Sequence, residues 1–272
     1  MITIITDNYN RRKERTRTKM RYQGKSVIIT GAAGGMGKQF ALDFAAEGAD
    51  VVAVDLVEEG LKTLEEAAKE LPGSITAYVG DLSTQEANEG MIDFTVEKFG
   101  KLDALVNNAG VGGRFEPIGE LTNELWEKVF KVNLQAPIYS TRKAVQVMAK
   151  QAGGGNIINM SSVCGLQGAK SGVAYTITKH GLIGLTKNTA FMYMDQNIRC
   201  NAIAPGWIQT EMVEDFPDDS VFGKAKIQGS YGKHLKLGKP EDVSSLIRFV
   251  ASDEGKFING SVLLIDGGLL SC

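Results

Sequence analysis

Tyr175 and Lys179 stand four residues apart, so on an α-helix a phenol and an ammonium share one face. A free phenol has a pKa near ~10 and is a poor acid or base at neutral pH. An ammonium one turn away favours the phenolate and should draw that pKa down towards the working range. Thirteen residues before Tyr175, Ser162 closes the apolar run Ile157-Ile158-Asn159-Met160, which follows Gly153-Gly154-Gly155 and reads as a buried strand entered from a turn. A serine hydroxyl facing the phenol can hold a carbonyl or alcohol oxygen while the tyrosine gives or takes its proton. Tyr-x-x-x-Lys alone also fits an ordinary amphipathic helix, so the surroundings decide.

Those surroundings are alternating strands and helices. Lys25–Thr30 is a short β-branched strand that runs into a glycine turn containing Gly31, Gly34, Gly35, Met36 and Gly37. A helix with Phe40 and Phe44 on one face follows and ends at Gly48. Strand, glycine turn and helix together suit a dinucleotide: the glycines admit the pyrophosphate, and the helix N-terminus presents N–H groups to it. The second strand, Asp50–Asp55, ends in an acid placed to accept hydrogen bonds from the adenosine ribose hydroxyls, with Leu56 beside it. That carboxylate would repel a 2′-phosphate, and no Arg or Lys stands in the loop or beside Asp55 to host one. The expected cofactor is NAD rather than NADP.

Leu61, Leu64, Ala67, Ala68 and Leu71 predict an amphipathic helix stopped by Pro72-Gly73, and Ile75–Val79 a third strand leading to Asp81 and Leu82. A helix to Phe99-Gly100, the strand Leu102–Val106 and the loop Asn107-Asn108-Ala109-Gly110 come next. The helix from about Asn123 contains Asn133, and Pro137 should kink it. Further strands are expected at Ile198–Ala204 and Val262–Asp266, with a helix over Glu241–Ala251. Residues 211–237 lose periodicity and read as a lid over a pocket, within the broader span 207–237. Repeated βα units predict one single-domain, doubly wound Rossmann-type α/β fold over 21–272: about seven parallel strands with helices on both faces.

Composition narrows the class. The 272 residues are 43% hydrophobic and 23% charged, enough for one α/β domain with a substantial core. No apolar run reaches membrane-spanning length, so no membrane partner is expected. Three scattered cysteines, Cys164, Cys200 and Cys272, argue against a disulfide framework or zinc site and suit a reducing cytoplasm. Two histidines leave little for a metal centre or a Ser-His-Asp triad. The net charge of −2 hides a basic head: eight Lys/Arg fall in residues 11–25, while Asp7 and Glu14 are the acids of residues 1–25. The body is therefore acidic, which argues against nucleic acid. Residues 1–20 are expected to be a disordered, function-neutral basic extension upstream of a start at Met20.

Taken together, TGAAGGMG (30–37), Asp55, Asp81-Leu82, NNAG (107–110), Asn133, Ser162, YTITK (175–179), PGWIQT (205–210) and the late DGG resemble the short-chain dehydrogenase/reductase family across residues 21–272. The resemblance implies that Tyr175 is the general acid/base and that Ser162 orients the substrate oxygen. It also implies that Lys179 lowers the tyrosine pKa and binds the nicotinamide ribose, and that Asn133 holds a water in a proton relay. Gly31, Gly35 and Gly37 would form the phosphate loop, Asp81 and Leu82 would touch the adenine, and Asn108 would line the cleft. Ile208 and Thr210 would lie near the carboxamide. A small-molecule alcohol or ketone is the implied partner, and a homotetramer or homodimer the implied assembly. The guessed pocket, Val163, Cys164, Leu166, Gln167, Met212 and Phe216, leans apolar, while Arg114 and Gln167 leave a sugar open. An acyl-carrier-protein reductase using NADPH is the alternative, weakened by Gly34 and Asp55. A non-catalytic dinucleotide sensor would predict a damaged site, yet all four catalytic positions hold competent residues.

Overall fold

Strands that are apolar at every position are satisfied only when both faces are covered. The computed structural model, which describes residues 20–210, 219–229 and 236–271, has that arrangement. Its strands are β1 (Ser26–Thr30), β2 (Asp50–Asp55), β3 (Ser74–Val79), β4 (Ala104–Asn107), β5 (Gly155–Met160), β6 (Ile198–Pro205) and β7 (Val262–Ile265). They form one sheet in the order β3-β2-β1-β4-β5-β6-β7, with every pairing parallel. The described helices are α1 (Gly35–Ala46), α2 (Glu58–Ala67), α3 (Gln85–Phe99), α4 (Asn123–Phe130), α5 (Ala136–Met148), α6 (Val173–Met192), α7 (Val221–Gln228) and α8 (Pro240–Ala251).

The period-2 alternation of each strand divides its side chains between two cores. Val27 and Ile29 of β1 join Phe40 and Phe44 of α1, Leu61 and Leu64 of α2, and Val243, Ile247 and Val250 of α8. Ile28 points the other way, to Met91 and Ile92 of α3, Ala144 and Met148 of α5, and Ala190 of α6. Each large side chain removed from water contributes about 1.5–3 kcal/mol, so both faces hold the sheet. Successive strands run outwards from β1 to β3 on one side, and from β4 to β7 on the other. The order reverses between β1 and β4, which opens a crevice at their C-terminal ends.

Several boundaries differ from expectation for local reasons. β4 begins at Ala104 rather than Leu102, because the Gln151 side chain binds both the N–H and the carbonyl of Leu102, at 2.8 and 2.9 Å. α2 ends at Ala67, short of Pro72-Gly73. Residues 219–229, within the span expected to lack periodicity, contain the two-turn helix α7, capped by Ser220 Oγ accepting from the Gly223 N–H at 2.9 Å. The rest of the expected lid, 211–218 and 230–235, and the basic head up to residue 19 lie outside the described residues. Among the described residues, no helix is long and apolar enough to cross a membrane.

Candidate active site

Glycine is a steric requirement in the loop after β1. Gly31 has φ +67°, and a Cβ there would lie 2.9 Å from the Ala109 Cα, because this loop touches the one leaving β4. A Cβ on Gly37 would overlap the Gly31 carbonyl oxygen, so α1 can start this close to β1 only with glycine there. The N-cap of α1 is Gly34, with no side-chain cap and no acid in the first turn. Its positive dipole end is thus left for an anionic group. Met36 packs partly buried against the core beneath.

Thr30 stitches the two loops together. Its Oγ1 accepts from the N–H groups of Asn108 and Ala109, both at 2.9 Å, and the Asn108 amide donates to the Thr30 carbonyl at 2.9 Å. Asn108 Oδ1 remains buried without a partner, an acceptor matched to a donor on a bound group. Asp55 Oδ2 accepts from the Ala33 N–H at 2.9 Å and Oδ1 from the Val57 N–H at 3.0 Å, so the acid also anchors the glycine loop. Each oxygen keeps a second lone pair for a hydroxyl. Val79, in register with Asp55, and Leu56 expose apolar surface beside it. Asp81 is exposed and turns its carboxylate to the Ser83 N–H, while Leu82 is buried in the core. Thr210 lies opposite Gly35, its Cβ 3.5 Å from where a Gly35 Cβ would sit, and the buried Ile208 bridges to Gly238. The glycine cradle, the uncapped helix end and the unpartnered Asn108 oxygen fit a dinucleotide laid across the crevice.

At the next strand end the chemistry assembles. Ser162 leaves β5 extended and accepts from the Cys164 N–H at 3.2 Å, which starts the turn Val163–Gly165. Tyr175 stands on the first turn of α6, near enough to Ser162 for the serine hydroxyl to favour its phenolate. Lys179 is buried one turn on; its Nζ lies 5.3 Å from the Tyr175 ring centroid and donates to the Met160 carbonyl at 2.7 Å. Asn133 is fully buried in a π-turn, Lys131–Gln135, between α4 and α5. Its side chain pairs with both backbone groups of Val111 at 2.8 Å. A Cβ on Gly110 would lie 3.3 Å from Asn133 Oδ1 and 3.7 Å from Lys179 Nζ, so the two residues approach across that glycine. The expected kink at Pro137 is this π-turn: proline has no N–H for the carbonyl four residues earlier, which is that of Asn133.

The protonation balance is opposite to the expectation from spacing. Burial pushes the Tyr175 phenol up, the nearby Cys164 thiol adds to this, and the Ser162 hydrogen bond opposes it. Burial also lowers the Lys179 ammonium to about 8. Both shifts have one cause, since withheld water disfavours the charged form of each. The ammonium is satisfied by a backbone carbonyl, and its proximity does not overcome that.

The structure thus brings Ser162, Tyr175, Lys179 and Asn133 together. Val163 and Cys164 are buried behind Ser162, Leu166 and Gln167 are exposed, and Met212 and Phe216 lie outside the described residues. Sequence reasoning missed a buried polar chain below the site. Ser140 Oγ donates to Asn107 Oδ1 (2.8 Å), the Asn107 amide to Asn159 Oδ1 (2.8 Å), and the Asn159 amide to Thr186 Oγ1 (2.9 Å), tying β4 and β5 to α5 and α6. Its signal was available: asparagines inside otherwise apolar strands need partners. Glu116, only 3% exposed, was missed too; its Oε2 accepts from the Arg114 N–H (2.7 Å) and its Oε1 from the Ala174 N–H (3.0 Å). Nothing local in Phe-Glu-Pro marks it.

Residues 31–270 match the family model described as enoyl-(acyl carrier protein) reductase. The chain is 42% identical over 245 residues to 3beta-hydroxysteroid dehydrogenase 2 of Eggerthella lenta, covering 90% of this chain and 94% of that one. It is 40% identical to the 3-oxoacyl-[acyl-carrier-protein] reductase of Thermotoga maritima, covering 92% of this chain and all of that one. The crystal structure of levodione reductase superimposes with a TM-score of 0.82 at 32% identity, covering 91% of this chain and 98% of that one.

Proposed function

This chain belongs to the short-chain dehydrogenase/reductase family, and from that premise we propose that it oxidises alicyclic secondary alcohols of the hydroxysteroid type, or reduces the matching ketones, with NAD(H). Interconversion of an alcohol and a ketone is common ground with its relatives; the cofactor's identity and the substrate class are the proposal. The observation that carries it is the Ser162–Tyr175 hydroxyl pair at the crevice where the glycine loop ends.

When bound, the nicotinamide dinucleotide supplies or accepts the hydride. The chain's own residues handle the proton and the orientation. Ser162 holds the substrate oxygen, and Tyr175 protonates it in reduction or deprotonates it in oxidation. A raised phenol pKa keeps Tyr175 protonated and ready to donate until substrate and cofactor reshape its surroundings. Lys179, fixed by the Met160 carbonyl, steadies the ribose side of the site, and Asn133 beside it continues the proton path. Asp55 supports NAD: a carboxylate in register with Val79 meets ribose hydroxyls readily and a 2′-phosphate badly. Gly31, Gly34, Gly35, Met36 and Gly37 would hold the pyrophosphate, Leu56, Asp81 and Leu82 the adenosine end, and Ile208 and Thr210 the nicotinamide end, with Asn108 lining the cleft beside the glycine loop.

The apolar substrate is supported by the buried Val163 and Cys164 behind Ser162. Exposed Val221 and Phe222 on α7 support a covering role for that helix, the described part of the expected lid. Exposed Phe249, Phe257 and Leu264 near the β7 edge support a homotetramer or homodimer, and the unpaired, buried Cys164 and Cys200 suit the cytoplasm. The full-length likeness to the Thermotoga maritima enzyme favours a second reading, a 3-oxoacyl thioester reductase using NADPH.

A panel of oxosteroids, diketones, keto-sugars and acetoacetyl thioester, each with NADH and NADPH, tests both. NADH turnover on an oxosteroid or cyclic ketone is expected. Asp55→Asn should then narrow the NADH preference about tenfold or more, the scale of a charge-assisted hydrogen bond. NADPH preference on the thioester would replace the proposal with the second reading.

A further inference from the structure

We infer that Glu116 is a positioning residue for Tyr175, clamping the first turn of α6 from across the site; this rests on the role proposed for Tyr175. The N-cap of α6 is Gly172, which has no side chain to offer, and the first turn carries no acid. Such an end leaves backbone donors to be satisfied from elsewhere. Glu116, 58 residues earlier, provides that: its carboxylate accepts from the Ala174 N–H at 3.0 Å and its carbonyl from the Val173 N–H at 2.9 Å. The two donors are the two residues just before Tyr175. A carboxylate at this end also meets the positive end of the helix dipole.

The contact is built closely. A Cβ on Gly172 would overlap Glu116 Oε2, and one on Gly113 would lie 3.2 Å from that oxygen and 3.3 Å from the Tyr175 Cβ. Gly113 therefore leaves room between the Glu116 carboxylate and Tyr175, and Glu116 packs against the start of the tyrosine helix. The segment is held from its other side as well. Phe115 takes φ +56°, a left-handed conformation that a bulky residue keeps only under outside constraint. The constraint comes from α7: the Ser220 N–H donates to the Arg114 carbonyl at 2.9 Å, and Gly223 packs so close to the Phe115 carbonyl that a Cβ would overlap it. One short segment thus joins the tyrosine helix to the helix expected to cover the substrate.

The effect should fall on Tyr175 more than on Lys179. Lys179 has its own anchors, Ser161 Oγ donating to its carbonyl at 2.9 Å and its Nζ donating to the Met160 carbonyl at 2.7 Å. The first turn depends on Glu116. Losing the clamp lets the phenol drift while the ribose side stays in place, and a displacement of about 1 Å costs up to ~10²-fold in rate.

The test measures kcat, KM and NADH affinity for Glu116→Gln, Glu116→Ala and Gly172→Ala, with a 3β-hydroxysteroid and NAD as the probe pair and Tyr175→Phe alongside. Gln can keep one of the two side-chain bonds, and Gly172→Ala displaces the carboxylate without removing it. The expected result is kcat lowered about tenfold in Glu116→Gln and Gly172→Ala and about a hundredfold in Glu116→Ala, with NADH affinity by fluorescence titration held within about twofold. A melting temperature that falls in these variants while kcat stays at the wild-type value overturns the inference, since the carboxylate would be a structural cap alone. A parallel loss of NADH affinity overturns it too. Activity in Tyr175→Phe overturns the reading beneath it instead.

Discussion

The loops leaving β1 and β4 lie side by side at the crevice and are joined through Thr30, Asn108 and Ala109, yet they are built by opposite means. The first works by lacking side chains. Gly31, Gly35 and Gly37 let the backbone pass where any Cβ would strain or collide, and the end of α1 stays uncapped. The second works by adding them. Asn108, Asn133 on Val111, and Glu116 on Ala174 tie residues 108–116 to neighbouring elements through side-chain hydrogen bonds, with Phe115 held at positive φ. The difference teaches where each half of the task is done. On the proposed reading, the cofactor would be met by backbone shape and a helix end, and the reacting oxygen by side chains held in place from a distance.

The comparison breaks most sharply at the tyrosine. Tyr175→Phe should lower kcat by about 10²–10⁴-fold, the usual worth of a general acid/base, while NADH titration changes little. Wild-type turnover in that variant would remove the chemistry from the β5–α6 side. The converse probe is Gly37→Ala, whose new methyl must push the Gly31 carbonyl aside. It should destabilise the fold by about 1–3 kcal/mol and weaken NADH binding, with the Ser162–Tyr175 pair undisturbed. Thermal unfolding and fluorescence titration read the two effects; unchanged NADH affinity would mean that the cradle is not where the dinucleotide lies.

The smallest effect sharpens the protonation argument. The Lys179 ammonium sits at about 8 in the folded chain against an ordinary 10.5, so between those values the unfolded chain binds more protons. Stability of the cofactor-free protein should therefore rise as pH rises through that window. Below it, both states carry the proton and the buried charge is a constant cost. The raised Tyr175 adds an opposing loss only once unfolded tyrosines ionise, near ~10. Lys179→Met should flatten the rise in urea titrations across the window; a wild-type slope in that variant would place the lysine outside this balance.

Most of the scaffold, with the glycine turn after β1, could be read from the chain alone. Apolar runs, glycine punctuation and helical spacing are local facts, because the period of a strand and the absence of a Cβ act within a few residues of where they are written. That is why the βα order, the parallel sheet, the glycine turn and Asp55 at the end of β2 were legible. Boundaries slipped where a remote side chain replaced a backbone bond, as Gln151 does for Leu102. The grouping of Ser162, Tyr175 and Lys179 was legible through their spacing, and Asn133 entered through the family resemblance alone, but their electrostatics were not legible. Spacing places an ammonium near a phenol, while burial, a property of the whole packed site, decided that the phenol's pKa rises and the ammonium's falls. Only the tertiary structure could reveal Glu116, because its partner Ala174 is 58 residues away and a hydrogen bond across that distance leaves no pattern in the chain.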